Sequence, residues 1–339
     1  MAVRKRRRRR TRGARLRRGV IILFAFFTLL LIAAGTSFWI FWAGPGPTSQ
    51  PTTFIVAQGS GTARIAAQLE QAGVIRGNAV TFRIFARLFG SHAPLQQGEF
   101  LIQPGMSAWA ILDMLQFGQP VRRMVTIPEG MPSVLVRERL MAIPYLEGDI
   151  PVPPEGSVLP STYDYHRGET RAAVLARMQR AMEQTMARLW AQRRPHSVVQ
   201  SPQAAIILAS IVEKETSRES ERRLIAGVYS NRVRRNMPLQ ADPTVIYPIT
   251  RGRPLGRRIL RSELNANNGY NTYRMAGLPI GPIANPGRAS IAAVLNPQET
   301  QALYFVADGS GGHVFANTLA EHNANVQRWY QIRRARGEM

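Results

Sequence analysis

Gly19-VIILFAFFTLLLIAAGTSFWIFWA-Gly44 carries no charged side chain from end to end. As a helix this stretch reaches roughly 36 Å, enough to cross a hydrocarbon core with some tilt. Trp39 and Trp42 sit at its far end, where an aromatic belt would place them. Its apolar run is longer than that of a cleaved signal peptide, so it reads as a retained anchor. The preceding residues 1–18 hold eleven Lys/Arg and no acid. The positive-inside rule then leaves this tail in the cytoplasm and places everything after residue 44 outside it. The whole chain has 339 residues and a net charge of +23; without those eleven basic residues the balance is +12. The charge is thus accounted for by topology, and no nucleic-acid partner is expected. The sequence predicts a single-pass protein of the cytoplasmic (inner) membrane whose body lies in the periplasm or another extracytoplasmic space.

Beyond the span, residues 44–52 (GPGPTSQPT) read as a linker because they combine three prolines and two glycines with polar residues. Residues 53–125 alternate short strands and short helices. Phe54-Ile55-Val56 is a strand. A helix after Gly61 carries Ile65, Ala66 and Leu69 on one side and stops at Gly73. Asn78 caps a second helix with Phe82, Phe85 and Phe89, and Ser107 a third with Ile111, Leu112 and Leu115. Gly98–Ile102 and Val121–Ile127 are strand-like, which predicts a small α+β module of three strands and three helices. Residues 126–339 are mainly helical: Thr170–Arg194, Pro202–Thr216 and Glu219–Arg235 are helices, and a capping box Thr318-Leu-Ala-Glu321 opens the last one. Leu303–Ala307 and His313–Ala316 flank Asp308-Gly-Ser-Gly-Gly312 as a β-hairpin. Asp242-Pro243 and Asn285-Pro286 have the form of helix starts. The fold class expected is therefore α+β, with a transmembrane helix over 19–43 and two extracytoplasmic parts.

Hydrophobic residues make up 45% of the chain, sufficient for a packed core, and the absence of cysteine excludes disulfides, Fe–S clusters and a thiol nucleophile. The five histidines show no ligand spacing and no Gly-x-Ser-x-Gly elbow exists, so neither a metal nor another cofactor is expected. The unusual chemistry lies in Ala204-Ala-Ile-Ile-Leu-Ala-Ser-Ile-Val-Glu-Lys-Glu-Thr216. Glu213 follows nine residues of which only Ser210 is polar. A carboxyl at the end of such a helix is partly desolvated, and desolvation disfavours a carboxyl's charged form, which is what a general acid needs. The other reading of the same residues is structural: Glu213 and Glu215 flank a helix end and pair with Arg218, Arg222 and Arg223. Three later loops are dense in Asn, Gln, Tyr and Gly: Leu239–Tyr247, Tyr270–Tyr273 and Gly277–Gly287. Such side chains hydrogen-bond hydroxyl and acetamido groups and stack on sugar rings; as turns and caps they would be equally at home.

Taken in order, these motifs resemble the YceG-like (MltG-type) endolytic murein transglycosylases. The resemblance is carried by Pro104-Gly-Met-Ser107, Thr126-Ile-Pro-Glu-Gly130, Ala209-Ser-Ile-Val-Glu-Lys-Glu-Thr216 and Leu239-Gln-Ala-Asp-Pro-Thr-Val-Ile-Tyr247. It continues through Tyr270-Asn-Thr-Tyr273, Gly277-Leu-Pro-Ile-Gly-Pro-Ile-Ala-Asn-Pro-Gly287, Tyr304–Gly309, His313–Phe315 and Glu321–Asn323. It implies a LysM-like subdomain at 53–125 and a catalytic domain at 126–339. It also implies a lyase reaction that cuts the MurNAc–GlcNAc β-1,4 bond of peptidoglycan, leaves 1,6-anhydro-MurNAc ends and limits nascent-strand elongation. The family's catalytic glutamate falls on Glu213. Gln240, Asp242, Tyr247, Asn271, Tyr273 and Asn285 are the expected substrate-binding set. The implied partners are glycan strands, the membrane and peptidoglycan synthases. Two departures are Asn268-Gly269 before the Tyr-Asn-Thr-Tyr motif, where Ser-Pro is usual, and Ser161, where relatives often carry an acid. The rival expectations are a hydrolytic muramidase with Glu215 or Asp242 as second carboxylate, and a membrane-anchored scaffold that binds peptidoglycan without cutting it.

Overall fold

The computed structural model describes residues 2–57 and 59–338; Met1, Gln58 and Met339, inside the expected tail, small module and C-terminal domain, lie outside the described residues. The chain divides into two compact units, residues 1–122 with 166–168 and residues 123–165 with 169–339.

In the first unit, α1 (Ala2–Phe38) runs without a break from the basic tail through the apolar stretch and ends in a π-helical turn, Trp39–Ala43. Arg17–Ala43 is long and apolar enough to cross a membrane by length and composition, and its apolar side chains are exposed. Then follow β1 (Thr52–Val56), α2 (Thr62–Gln71), α3 (Ala79–Phe89), β2 (Gly98–Ile102) and α4 (Ala108–Phe117). β1 and β2 pair antiparallel with Phe54 opposite Phe100. The local signals act as their chemistry requires: Asn78 accepts a 2.9 Å bond from the Thr81 N–H and Ser107 a 3.1 Å bond from the Ala110 N–H, each satisfying a free donor of the first turn. Ile65, Leu69, Phe82, Phe100, Ile111 and Leu115 fill the core, and Trp42 is buried with them.

The second unit begins with β3 (Arg123–Thr126), followed by α5 (Ser133–Met141) and β4 (Thr162–Tyr165). β3 pairs antiparallel with β4, Val125 opposite Tyr163. Among the described residues the small module therefore has two strands, not the three its sequence predicts. The strand within Val121–Ile127 belongs to the next unit because its partner lies some forty residues downstream, out of reach of any local pattern. α6 (Arg171–Ala191), α7 (Pro202–Glu215), α8 (Glu219–Arg234), α9 (Asp242–Thr250), α10 (Arg261–Leu264) and α11 (Arg288–Leu295) build the helical body. Its core gathers Leu208, Ile211 and Val212 of α7 with Ile225 and Tyr229 of α8 and Ile291 and Val294 of α11. β5 (Tyr304–Ala307) and β6 (His313–Ala316) form the expected hairpin. The Thr318–Glu321 capping box starts α12 (Leu319–Ala335), with Thr318 Oγ1 accepting from the Glu321 N–H at 3.2 Å.

Candidate active site

α7 positions the two acids. Ser201 caps it, accepting from the Ala204 N–H at 3.1 Å, and Pro202 occupies the first turn, where a missing N–H costs nothing. Seven of its residues, from Ala205 to Val212, are buried, so the helix is clamped on most sides. Ser210, the lone polar residue of that run, donates to the Ile207 carbonyl at 2.7 Å and accepts from the Ile283 N–H at 3.0 Å. That second bond fixes the Ile283–Gly287 loop one turn before Glu213. The loop then places the Gly287 N–H 2.8 Å from Glu213 Oε2. The Glu129 side chain packs directly on Gly287, and a Cβ there would fall 2.0 Å from Glu129 Oε1, so any larger residue must push that carboxylate aside. Gly130 closes the other side: its left-handed backbone (φ 72°) suits glycine, and a Cβ there would meet Glu213 Cγ at 3.3 Å.

One Nη2 of Arg222, on α8, serves two carboxylates, at 2.9 Å to Glu129 and 3.5 Å to Glu213 Oε1. The Glu213 side chain is only 5% exposed, against 43% for Glu129. Of the three arginines expected near the helix end, Arg222 alone reaches Glu213. Arg218 turns to Ser310 and Arg223 bonds the Asn296 carbonyl at 2.9 Å.

Glu215, two residues on, points the other way, since two helical steps turn the side chain by roughly 200°. It lies against Tyr229, which donates to it, with Arg232, Asp242 and Tyr273 nearby. Burial drives its carboxyl up to about 7, and the charge of Asp242 adds to the rise, while the Tyr229 bond and Arg232 oppose it. Strong desolvation in this segment thus falls on Glu215. A pocket of about 380 Å³ borders it, walled by the Gly309–Gly312 turn, Trp329 and Arg336.

The six other expected site residues fall into three groups. Asp242 and Tyr273 form a pair, the phenol donating to Asp242 Oδ1 at 2.6 Å, on the Glu215 side. Gln240 is exposed in the same area, held in a left-handed conformation (φ 52°) with its Oε1 3.2 Å from Arg232 Nη1. Tyr247 donates to Glu155 at 3.2 Å, and burial raises the pKa of that carboxyl despite its bonds from Ser133. Asn271 and Asn285 are fully buried, their amides bound within the protein. Asn271 donates to the carbonyls of Leu264 and Ala266 at 3.0 and 2.8 Å. Asn285 accepts from the Val158 N–H at 2.9 Å and donates to the Met131 carbonyl at 2.9 Å and to Ser133 Oγ at 3.0 Å. These two shape the loops that surround the acids. Neither Asp242 nor Asn285 caps a helix: Asp242 opens α9 with its carboxylate on Tyr273, and Asn285 precedes α11 by three residues. Glu129, Arg222, Gly287 and Glu155 were not singled out as site residues from sequence. The visible signal for the first and third was their place inside the Thr126–Gly130 and Gly277–Gly287 motifs.

A model of the YceG-like family matches residues 54–328. This chain belongs to the YceG-like family. Among its relatives are the endolytic murein transglycosylase of Bacillus subtilis (strain 168), 34% identical over 177 residues, which make up 52% of this chain and 48% of that one. The endolytic murein transglycosylase of Streptococcus pneumoniae serotype 2 (strain D39) is 27% identical over 320 residues, with 80% of this chain and 57% of that one covered. The chain therefore spans about half the length of the curated relatives it matches. A crystal structure of a yceG-like protein from Listeria monocytogenes superposes with a TM-score of 0.51 at 27% identity, covering 82% of this chain and 99% of that one.

Proposed function

We propose that this YceG-like protein is a membrane-anchored endolytic lytic transglycosylase that cuts peptidoglycan glycan strands, with Glu213 as its acid and base. The observation that carries the reading is how the two oxygens of Glu213 differ. Oε2 is committed to the Gly287 N–H, whereas among the described residues Oε1 has only the long contact to Arg222, whose shorter bond goes to Glu129. Oε1 is thus the oxygen free to carry a proton, and the loop holding Oε2 fixes where that proton points.

In the reaction, Oε1 delivers its proton to the glycosidic oxygen between N-acetylmuramic acid and N-acetylglucosamine, and the C1–O bond breaks. The C6 hydroxyl of the same muramoyl residue bonds to C1 and returns its proton to Glu213. The product carries a 1,6-anhydro end, the enzyme regains its starting state, and no water is consumed. One carboxyl suffices because the substrate supplies the nucleophile, in contrast to the two that a glycoside hydrolase needs. Gln240, Asp242 and Tyr273 are accessible enough to meet sugar hydroxyls; Tyr247, Asn271 and Asn285 act through the loops they hold. Cutting strands in this way limits their elongation.

Two further parts complete the reading. α1 is the membrane anchor, supported by its length and exposed apolar surface, and the Arg-rich tail orients its start toward the cytoplasm. The β1–α2–α3–β2 unit, two antiparallel strands with two helices between them, supports a LysM-like, glycan-holding role. Purified peptidoglycan digested by the protein and by its Glu213→Gln variant tests the assignment: anhydro-ended fragments by mass spectrometry are expected from the first and none from the second.

One observation favours a second reading. Glu215, pushed up to about 7 beside Asp242, is a carboxyl pair of the kind a hydrolytic muramidase uses. That enzyme would leave reducing ends one water heavier, and its activity would fall with Glu215→Gln.

A further inference from the structure

The last turns of α1 and the helix α3 are bound by a stack of aromatic rings. Phe38 meets Phe89 with centroids 4.9 Å apart and Phe85 at 6.0 Å, while Trp42 meets Phe85 at 5.9 Å and Phe82 at 5.8 Å. Early residues of α3 therefore face late residues of the span, and late residues of α3 face earlier ones. α3 runs back along α1, and its C-terminal tip lies level with Phe38, five residues inside the apolar run Arg17–Ala43. If α1 is in a bilayer, that tip is at the lipid–water boundary.

The tip is built for that place. Leu88 is 67% and Phe89 53% exposed, and Trp39, next in sequence to Phe38 on the span, is 61% exposed. These large apolar groups continue the exposed apolar surface of α1. Arg87 immediately precedes Leu88 and Arg83 lies more than a turn further back; the two share a face at i, i+4, and both are exposed with no acidic partner among the described residues. They rim a cavity of about 500 Å³ that opens between α3 and the Ser91–Leu95 segment. From Leu88 to Arg83 the helix rises roughly 7.5 Å, close to the depth that separates acyl chains from headgroup phosphates in interfacial helices.

We infer that the C-terminal tip of α3 docks on the same bilayer that α1 spans, with Leu88 and Phe89 among the acyl chains, Arg83 level with the phosphates of anionic phospholipids, and Arg87 extending its long side chain up to them from the tip. The inference rests on the reading of α1 as an anchor. It goes beyond that reading because it seats the small unit against the membrane surface instead of leaving it on a free tether.

The absence of cysteine makes the test clean. Single variants Leu88→Cys, Val80→Cys and Leu30→Cys of the full chain are labelled with an environment-sensitive dye and placed in nanodiscs containing spin-labelled lipid. Leu30 reports the anchor, Leu88 the docked tip, and Val80 the far end of α3, roughly 12 Å away along the helix axis. Docking predicts strong lipid quenching at Leu30 and Leu88 and little at Val80. It also predicts that Leu88 quenching falls in purely zwitterionic discs. Arg83→Gln with Arg87→Gln lowers the docked-to-undocked ratio in anionic discs roughly thirtyfold, at about fivefold per arginine. An unquenched Leu30 would overturn the anchor and the docking together. Quenching at Leu30 with an aqueous Leu88 would overturn the docking alone. A Leu88 signal that ignores lipid but shifts with soluble glycan fragments, or only with protein density, would assign the face to glycan or to a second copy and equally overturn it.

Discussion

Glu213 and Glu215 are two positions apart on one helix, yet they occupy opposite chemical situations. Glu213 is held by a backbone N–H on one oxygen and shares a distant guanidinium on the other, beneath the Ile283–Gly287 loop that Ser210 anchors. Glu215 lies against Tyr229 in the body of the protein, where burial and the charge of Asp242 raise its carboxyl to about 7. The difference shows that a carboxyl's protonation and its fitness for catalysis are separate properties. A raised pKa keeps a proton; delivering one to a sugar and taking another back also needs an oxygen held in a fixed orientation.

The largest expected effect separates the two acids by activity. Glu213→Gln should reduce glycan cleavage by ~10²–10⁴-fold, the usual range for removing a general acid, while thermal unfolding stays close to that of the parent. A variant that still turned over would move the proton donor to the other face of α7.

The next separates them by stability. The folded-state value of Glu215, about 7, lies above its ordinary 4.5, so the folded protein holds an extra proton between those values. Stability from this group is full below about pH 4.5 and declines as pH rises through 7, by roughly 3 kcal/mol. Unfolding scans from pH 5 to 8 should show this decline in the parent and lose most of it in Glu215→Gln. An unchanged slope would mean that Glu215 is ionised throughout.

Gly287→Ala sharpens the Glu213 side. Its Cβ would displace the half-exposed Glu129 side chain, breaking that carboxylate's 2.9 Å pair with Arg222 and releasing the guanidinium onto Glu213 Oε1. Cleavage should fall about tenfold to a hundredfold, as misplacement by an ångström does elsewhere, with KM changed less than kcat. Tyr273→Phe, on the Glu215 side, removes the 2.6 Å bond to Asp242. It should cost about 1 kcal/mol in denaturant unfolding and leave turnover within tenfold.

Much of the fold was legible because its signals are local. Asn78, Ser107 and Thr318 cap the helices they precede, and Asp308–Gly312 turns the hairpin as its glycines demand. What stayed hidden depends on contacts between distant segments. β4 has no partner until β3 is folded against it, and Asn285 looks like a cap in sequence but spends its amide on Met131, Ser133 and Val158. At the site, the apolar run before Glu213 correctly marked a buried helix. That run could not say which of the two acids at its end would face the core, because the answer lies in α8 and in the loop that Ser210 anchors.

The central claim is that the substrate's own hydroxyl, and not water, closes the reaction. Digestion of peptidoglycan in water enriched in ¹⁸O, followed by mass spectrometry of the new ends, tests it most directly. The account predicts anhydro ends with no ¹⁸O; one ¹⁸O per new reducing end would contradict it and make the protein a hydrolase.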